Sequence, residues 1–240
     1  MSYVRIFTNV VTSNLGIMAD TIDEAAQPPG LILTRDFISP ELEQRLLYIF
    51  ANELQWPDRA GRRSLHYGYT FCYKTFKIDK DIPYIPFPEW MKDVLPMEQS
   101  RLPDQVCLQH YRPGTGIPPH ADTHSAFDQL YSLSLGAPVL MQFAQPATGV
   151  KVDVDLPARS MAQLGGDVRL HWTHAIRARK NDTLVDGTVR PRQDRWSFTY
   201  RWLRESGVCE CGDQTLCDTA KERQGIEKEY RWKEAGGADT

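Results

Sequence analysis

After Trp56 the chain breaks into short runs rich in aromatic and β-branched residues, HYGYTFCYKTF, QVCLQHY, LYSLSLG, PVLMQFA and RWSFTYRWL, separated by Gly, Pro and Asp. Strand-length runs at this spacing predict an all-β sandwich or barrel rather than alternating strands and helices. The 16 Gly and 16 Pro follow no period, which suits a chain with many turns and excludes a collagen-like repeat. One helix is expected against this core. Ser39 is placed as its N-cap, Pro40 fits the first helical position, and Leu42, Leu46, Ile49, Phe50 and Leu54 recur at helical spacing. Residues 1–28 end in the loop signal QPPG and read as a tail or edge element, leaving one large domain over 29–217. From Asp218 to residue 240 the chain is dense in charge and poor in core residues, which predicts a solvated helix or a disordered end.

Composition narrows the function classes. With 41% hydrophobic and 25% charged residues the chain is ordinarily globular, so neither disorder as the main state nor membrane integration is expected. No apolar run approaches the roughly 18 residues of a membrane span, and the N-terminus lacks a signal-peptide pattern. The expectation is a soluble intracellular protein, cytoplasmic or nuclear, with no membrane partner. Lys and Arg number 28 against 31 Asp and Glu, a net charge of −3, so nucleic acid could be bound only through a local patch. Five Cys is an odd count, and Cys209, Cys211 and Cys217 are crowded together. Thiol or metal chemistry in a reducing compartment suits this better than a disulfide framework. Cys72 and Cys107 lie in apolar strand-like runs and read as core.

Three segments carry chemistry. In GIPPHADTH, His120 and Asp122 stand two apart, so in extended backbone both leave the same face of the chain. A second His is available from HWTHAI, at His171 or His174. Two imidazoles and a carboxylate suit the facial triad of non-heme Fe(II) oxygenases, and equally a hydrolytic zinc site. In RWSFTYRWL, Arg195, Ser197, Thr199 and Arg201 share one strand face, and Trp196, Phe198, Tyr200 and Trp202 take the other. If the polar face lines a barrel interior, its arginines demand an anionic partner, for which a dicarboxylate such as 2-oxoglutarate would serve. A solvated edge strand is the alternative. In QVCLQHYRP, Gln109 and Tyr111 share a face with Cys107 and could hydrogen-bond the same co-substrate.

A fourth segment, RAGRRSLHYGYTFCYKTFK, interleaves basic and aromatic residues in a composition suited to phosphate contact and base stacking. Arg62, Arg63, Tyr67, Tyr69 and Lys74 are its candidate nucleic-acid contacts. Aromatics at alternate positions filling a core face, with solvated cations between them, is the competing reading.

The ordered set of Tyr111, His120-x-Asp122, His174 and the Arg195/Arg201 pair resembles the AlkB branch of Fe(II)/2-oxoglutarate-dependent dioxygenases. Through HYGYTF, YRPGTGIPPHADTHSAF, SLSLG, WTHAI and RWSFTYR, over roughly residues 29–220, it is most similar to the branch that hydroxylates modified wobble uridine in tRNA. The resemblance implies a mainly β, α+β fold: a double-stranded β-helix, or jelly-roll barrel, with flanking N-terminal helices and a small zinc-bound C-terminal segment. It implies Fe(II) held by His120, Asp122 and His174, with the context WTHAI selecting His174 over His171. It further implies 2-oxoglutarate held by Arg195 and Tyr111, with Arg201 nearer the iron and Gln109 standing where the family has Asn. Structural Zn(II) would be held by His124, Cys209, Cys211 and Cys217. The implied partners are dioxygen, an RNA substrate, which in this branch is tRNA, and a tRNA methyltransferase on a separate chain. Oxidative demethylation of N-alkylated DNA or RNA bases is the alternative activity, and a non-catalytic binding protein on the same barrel a further one.

Overall fold

The computed structural model describes residues 27–72, 77–79, 81–98 and 100–225. Its strands are β1 (Leu31–Thr34), β2 (Arg63–Gly68), β3 (Phe71–Cys72), β4 (Lys77–Ile78), β5 (Gln105–Tyr111), β6 (Ile117–His120) and β7 (Gln129–Gly136). They continue as β8 (Val139–Ala144), β9 (Lys151–Leu156), β10 (Met161–Gly165), β11 (Thr173–Ile176), β12 (Asn181–Thr183), β13 (Val189–Pro191) and β14 (Arg195–Arg201). The helices are α1 (Pro40–Asn52), α2 (Gly166–Leu170) and α3 (Asp218–Arg223). One sheet runs β1-β10-β7-β14-β5-β2 and a second β6-β11-β8-β9. Every pairing within them is antiparallel. The two sets β10-β7-β14-β5 and β6-β11-β8-β9 have the strand order of a jelly roll, with β1 and β2 extending the larger sheet at its edges.

Strand alternation divides the interior in two. Leu130, Ala162 and Leu164 of the large sheet meet Met141, Phe143, Val154, Leu156 and Ile176 of the small one, forming the core between the sheets. The opposite face of the large sheet is covered by α1 and the short turn Glu89–Val94, where Leu46, Ile49, Phe50 and Met91 pack on Leu108, Leu133, Phe198 and Tyr200. Phe50 meets Phe198 edge to face at 5.6 Å and Trp90 at 5.7 Å. The helix starts where the sequence places it: Ser39 accepts a hydrogen bond from the Leu42 N–H at 3.2 Å, and Pro40 begins the first turn. Trp196, Phe198, Tyr200 and Trp202 all lie with this outer cluster, as their spacing predicts.

Residues 1–26 and 226–240 lie outside the described part, so most of both tails does too. The expectation of a solvated segment from Asp218 fails for its start. Asp218, Thr219 and Ala220 open α3 and are buried, because the Asp218 carboxylate accepts hydrogen bonds from the His124 and Thr219 N–H groups and Cys217 caps the helix. The short hairpin of β12 and β13 was not anticipated. It is organised around Asp182, fully buried, which accepts from Arg179 at 2.9 Å, Arg192 at 2.7 and 3.1 Å and the Leu140 N–H at 3.1 Å.

Asp182→Ala is expected to destabilise the fold by about 3–5 kcal/mol in denaturant unfolding, because it leaves the buried Arg192 unpaired. Burial alone would raise the Asp182 carboxyl, but the Arg192 and Leu140 hydrogen bonds bring it below the ordinary value. A folded value depressed below the unfolded one of about 3.9 means the contribution is complete above that pH and is lost as pH falls through the folded value. Melting temperature measured against pH should therefore show a shallower acid limb below about pH 4 in Asp182→Asn than in the parent.

Candidate metal centre and cavity

Strands β6 and β11 are antiparallel neighbours with His120 directly opposite His174, and the two rings stand 4.4 Å apart. Asp122 lies just past the end of β6, with Oδ2 at 3.4 Å from His174 Nε2. One donor atom from each of the three residues falls within 4.8 Å of the others. His120 Nδ1 is 2.9 Å from the Pro118 carbonyl, a contact that fixes the ring as an Nδ1–H donor and leaves Nε2 as a lone-pair donor. Burial, followed by the neighbouring His174, pushes His120 down to about 4, so its imidazole is neutral at physiological pH. Burial acts to raise Asp122, but Arg201, ahead of His174, holds the carboxyl well below its usual range. The cluster thus offers two imidazoles and an ionised carboxylate, hard and borderline donors of the kind that bind first-row divalent metals. His171 is not part of it. Its Nδ1 pairs with Asp213 Oδ2 at 2.8 Å.

The polar face of β14 lines a cavity with this cluster at one side. Arg195, Ser197, Thr199 and Arg201 share it with Gln109, Tyr111, His120, Asp122 and His174. Arg201 is engaged within the chain. Its Nε donates to Asp122 Oδ1 at 2.9 Å, its Nη2 also reaches that oxygen, and Nη1 donates to Gln105 Oε1 at 3.1 Å. The metal-site carboxylate is therefore what Arg201 holds.

Arg195 is different. It is 2% exposed and donates from Nη2 to Ser134 Oγ at 2.9 Å, while Nε and Nη1 are buried with no hydrogen-bond partner among the described residues. Burial pushes it down to about 10. A buried guanidinium with two idle donors fits a small anion in the cavity, because an unpaired buried charge is strongly unfavourable. Tyr111 lies beside it, ring centroid 5.2 Å from the guanidinium, and its hydroxyl donates to Gln109 Oε1 at 2.5 Å. Gln109 is thus at the cavity and engaged by Tyr111.

A second donor cluster lies along the same loop. His124, Cys209, Cys211 and Cys217 also bring their donor atoms within 4.8 Å of one another. His124 is fully buried with Nε2 unpartnered among the described residues, and burial, then Arg169, pushes it down to about 4. Cys211 is pushed up to about 12, first by burial and then by the adjacent Cys209 and Cys217 sulfurs, a strain that a bound dication relieves by favouring thiolates. The Cys211 and Ala220 N–H groups donate to Cys209 Sγ and Cys217 Sγ, each at 3.4 Å. Three sulfurs and an imidazole form a closed tetrahedral donor set.

The basic and aromatic segment divides by strand parity. Arg62 faces the cavity side, with its guanidinium 5.9 Å from the Tyr111 ring centroid. Arg63 and Tyr67 turn to the opposite face, away from the cavity. Arg63 pairs with His110 Nδ1 at 2.7 Å over the Trp56 ring, and Tyr67 packs edge-on against Trp90. Tyr69 is 39% exposed beside Tyr84, ring centroids 4.9 Å apart, and Lys74 lies outside the described residues. Cys107 is buried as expected, while the side chain of Cys72 is outside the described residues.

Sequence reasoning missed Arg169 and Ser134. Arg169, 2% exposed, donates to the Asp122 and Thr123 carbonyls at 3.3 and 2.6 Å and so braces the loop between the two donor clusters. Nothing in GDVRL marks it, since an Arg on a short helix reads as solvated.

A family model for the 2OG-Fe(II) oxygenase superfamily matches residues 39–201, and the chain belongs to that superfamily. It is an oxygenase domain of the AlkB type. Among its relatives, the tRNA (carboxymethyluridine(34)-5-O)-methyltransferase alkbh8 of Xenopus tropicalis is 39% identical over 222 residues, covering 80% of this chain and 34% of the relative. The Mus musculus protein of the same name is 37% identical over 226 residues, covering 80% of this chain and 33% of the relative. The alkylated DNA repair protein ALKBH8 homolog of Arabidopsis thaliana is 33% identical over 229 residues, 84% of this chain and 66% of the relative. The chain spans about a third of the length of the two animal relatives. A solved structure of OsALKBH1 shares the fold, with a TM-score of 0.50 at 16% identity, covering 73% of this chain and 99% of that one.

Arg201→Gln should weaken binding of Fe(II), titrated without oxygen, by about tenfold to a hundredfold, as loss of a group orienting a metal ligand does. Arg195→Gln should leave that affinity unchanged and raise the KM for 2-oxoglutarate about tenfold or more. The opposite pattern would exchange the roles assigned to the two arginines.

Proposed function

We propose that this chain hydroxylates a modified nucleoside in RNA, a carboxymethyl-type wobble uridine of tRNA, using Fe(II) and 2-oxoglutarate. The observation that carries the reading is the conjunction of the His120, Asp122 and His174 donors with the idle buried donors of Arg195 in one cavity. Iron with 2-oxoglutarate and dioxygen supplies oxidation of a C–H bond, the co-substrate leaving as succinate and carbon dioxide. His120, Asp122 and His174 would hold the metal, and Arg195 the distal carboxylate of the co-substrate, with Tyr111 beside it. Arg201 keeps Asp122 ionised and oriented, and Leu130, Met141, Leu156 and Leu164 keep the wall of the cavity apolar. His124, Cys209, Cys211 and Cys217 would hold structural zinc, tying the C-terminal segment to the loop that carries Asp122.

The choice of substrate is supported by the carboxymethyluridine in the names of the animal relatives. Exposed Tyr69 and Tyr84 beside the cavity-side strand β2 suit base stacking. A separate tRNA methyltransferase acting on the same tRNA is a further proposed partner. Oxidative demethylation is the second reading, favoured by the DNA-repair name of the Arabidopsis relative. No helix among the described residues is long and apolar enough to cross a membrane. We propose the cytoplasm or nucleus as its location, because thiol ligands at Cys209, Cys211 and Cys217 suit a reducing compartment.

Incubating the iron-loaded protein with tRNA and with N-methylated oligonucleotides, followed by nucleoside mass spectrometry, separates the two. Gain of one oxygen on the modified uridine is expected; loss of a methyl group instead would favour the second reading. Metal analysis should find zinc retained through mild chelation that strips iron. Cys217→Ser should lose that zinc and melt at lower temperature, and an unchanged zinc content would remove the proposed site.

A further inference from the structure

We propose that zinc bound by His124, Cys209, Cys211 and Cys217 raises the affinity of the His120, Asp122 and His174 site for its own metal, and that Arg169 and His171 are the positioning residues that couple the two. The coupling rests on the metal assignments above and goes beyond them: the thiol cluster sets the occupancy of the reaction centre as well as fastening the C-terminal segment. The two donor sets share chain in two places. Asp122 and His124 stand two residues apart on one loop, so their Cα atoms lie within about 7 Å and little slack separates them. His171 and His174 stand three apart, where α2 gives way to β11.

Arg169 grips the loop. Buried in the interior, it donates from Nη1 to the Asp122 carbonyl at 3.3 Å and from Nη2 to the Thr123 carbonyl at 2.6 Å. These are the two peptide units that link the metal-site carboxylate to His124. His124 is fixed on both sides as well: Asp218 Oδ1 accepts from its N–H at 2.9 Å, and Arg204 Nε donates to its carbonyl at 3.1 Å. A displacement of His124 is therefore passed to Asp122 through hydrogen-bonded backbone rather than absorbed by a free loop.

The helix that carries Arg169 also reaches the cysteines. Leu170 packs against the buried Cys209, Cys217 and Ala220. His171, which caps α2, pairs its Nδ1 with Asp213 Oδ2 at 2.8 Å, between Cys211 and Cys217 in the chain. Asp213 Oδ1 accepts from the Thr215 and Leu216 N–H groups at 2.7 and 2.8 Å, so the turn joining those two thiols is built on the carboxylate that His171 holds. Three residues further on, His174 stands opposite His120. A dication at the thiol cluster would give the buried His124 Nε2 a partner and fix one end of both spans, holding Asp122 and His174 in place before their own metal arrives. Order imposed by the first metal is not imposed again by the second, which makes the coupling positive.

The test uses the full chain under reducing conditions, either zinc-loaded or stripped with a strong chelator and desalted. Mn(II) is the probe for the second site, because a hard dication favours imidazole and carboxylate over thiolate, and the free ion is counted by electron paramagnetic resonance. Zinc should tighten Mn(II) binding by about fivefold to a hundredfold, and Mn(II) should tighten zinc, measured by chelator competition, by the same factor. Arg169→Gln should bring that factor to within about twofold of unity, and His171→Ala, at a partly exposed position, should lower it as well. Equal weakening of Mn(II) with and without zinc in both variants would make the two residues local supports and overturn the proposal. A factor of unity in the parent would overturn it too, as would circular dichroism showing the barrel unfolded once zinc is removed. Should Arg169→Gln not fold, His171→Ala decides alone. A parent that takes up no zinc would refute the metal assignment and the coupling with it, whereas two metals bound without mutual effect would overturn the coupling alone.

Discussion

Positive charge buried inside a β-barrel is the constraint around which this molecule is arranged. Arg169 and Arg195 are each 2% exposed, and Arg201 is nearly as enclosed. A guanidinium withdrawn from water and left unpaired is destabilising by several kcal/mol, so each needs a compensating partner. Arg201 finds one in Asp122, and Arg169 in the carbonyls of Asp122 and Thr123. Among the described residues Arg195 donates to Ser134 and lies against the Tyr111 ring, and its Nε and Nη1 are left as a position for an anion. The same electrostatics that shapes the barrel thus leaves a cationic position in its cavity.

The loop from His120 to His124 joins the two donor clusters over a very short stretch of chain. His120 and Asp122 face the cavity, whereas His124 faces the cysteines, and Arg169 grips the backbone between them. Asp218 accepts from the His124 N–H, so the start of α3 is fastened to the same loop. Order in the C-terminal segment is in this way coupled to the position of a metal-site carboxylate. A cysteine cluster far along the chain becomes part of the framework of the cavity without touching what is held there.

Much of the fold was legible in local pattern. The spacing of Leu46, Ile49 and Phe50, with Ser39 and Pro40 ahead of them, specified α1, and the alternation in β14 sorted its aromatic face from its cationic one. The two triad histidines were legible by motif, and register then put them opposite each other. Arg63 and Tyr67 were not separable from Arg62 by composition, because a basic and aromatic stretch looks alike on both faces until pairing with β5 assigns parity. The burial of Asp218 and Thr219 was hidden for a similar reason: charged residues near a chain end read as solvated, and only the partner N–H of His124 reverses that.

What the amino-acid sequence determined by itself was therefore periodicity and inventory: short strands with two distinct faces, one capped helix, and the residue types of two donor sets. These depend on neighbours a few positions apart, where backbone geometry dictates which side chains share a face. Tertiary structure decided the pairings. It gave Arg201 to Asp122, left Arg195 open, set Arg62 facing the cavity and Arg63 away from it, and brought His124 to Cys209, Cys211 and Cys217. Charge burial and hydrogen-bond satisfaction are properties of an enclosed space, and that space exists only once strands distant in the chain have closed around it.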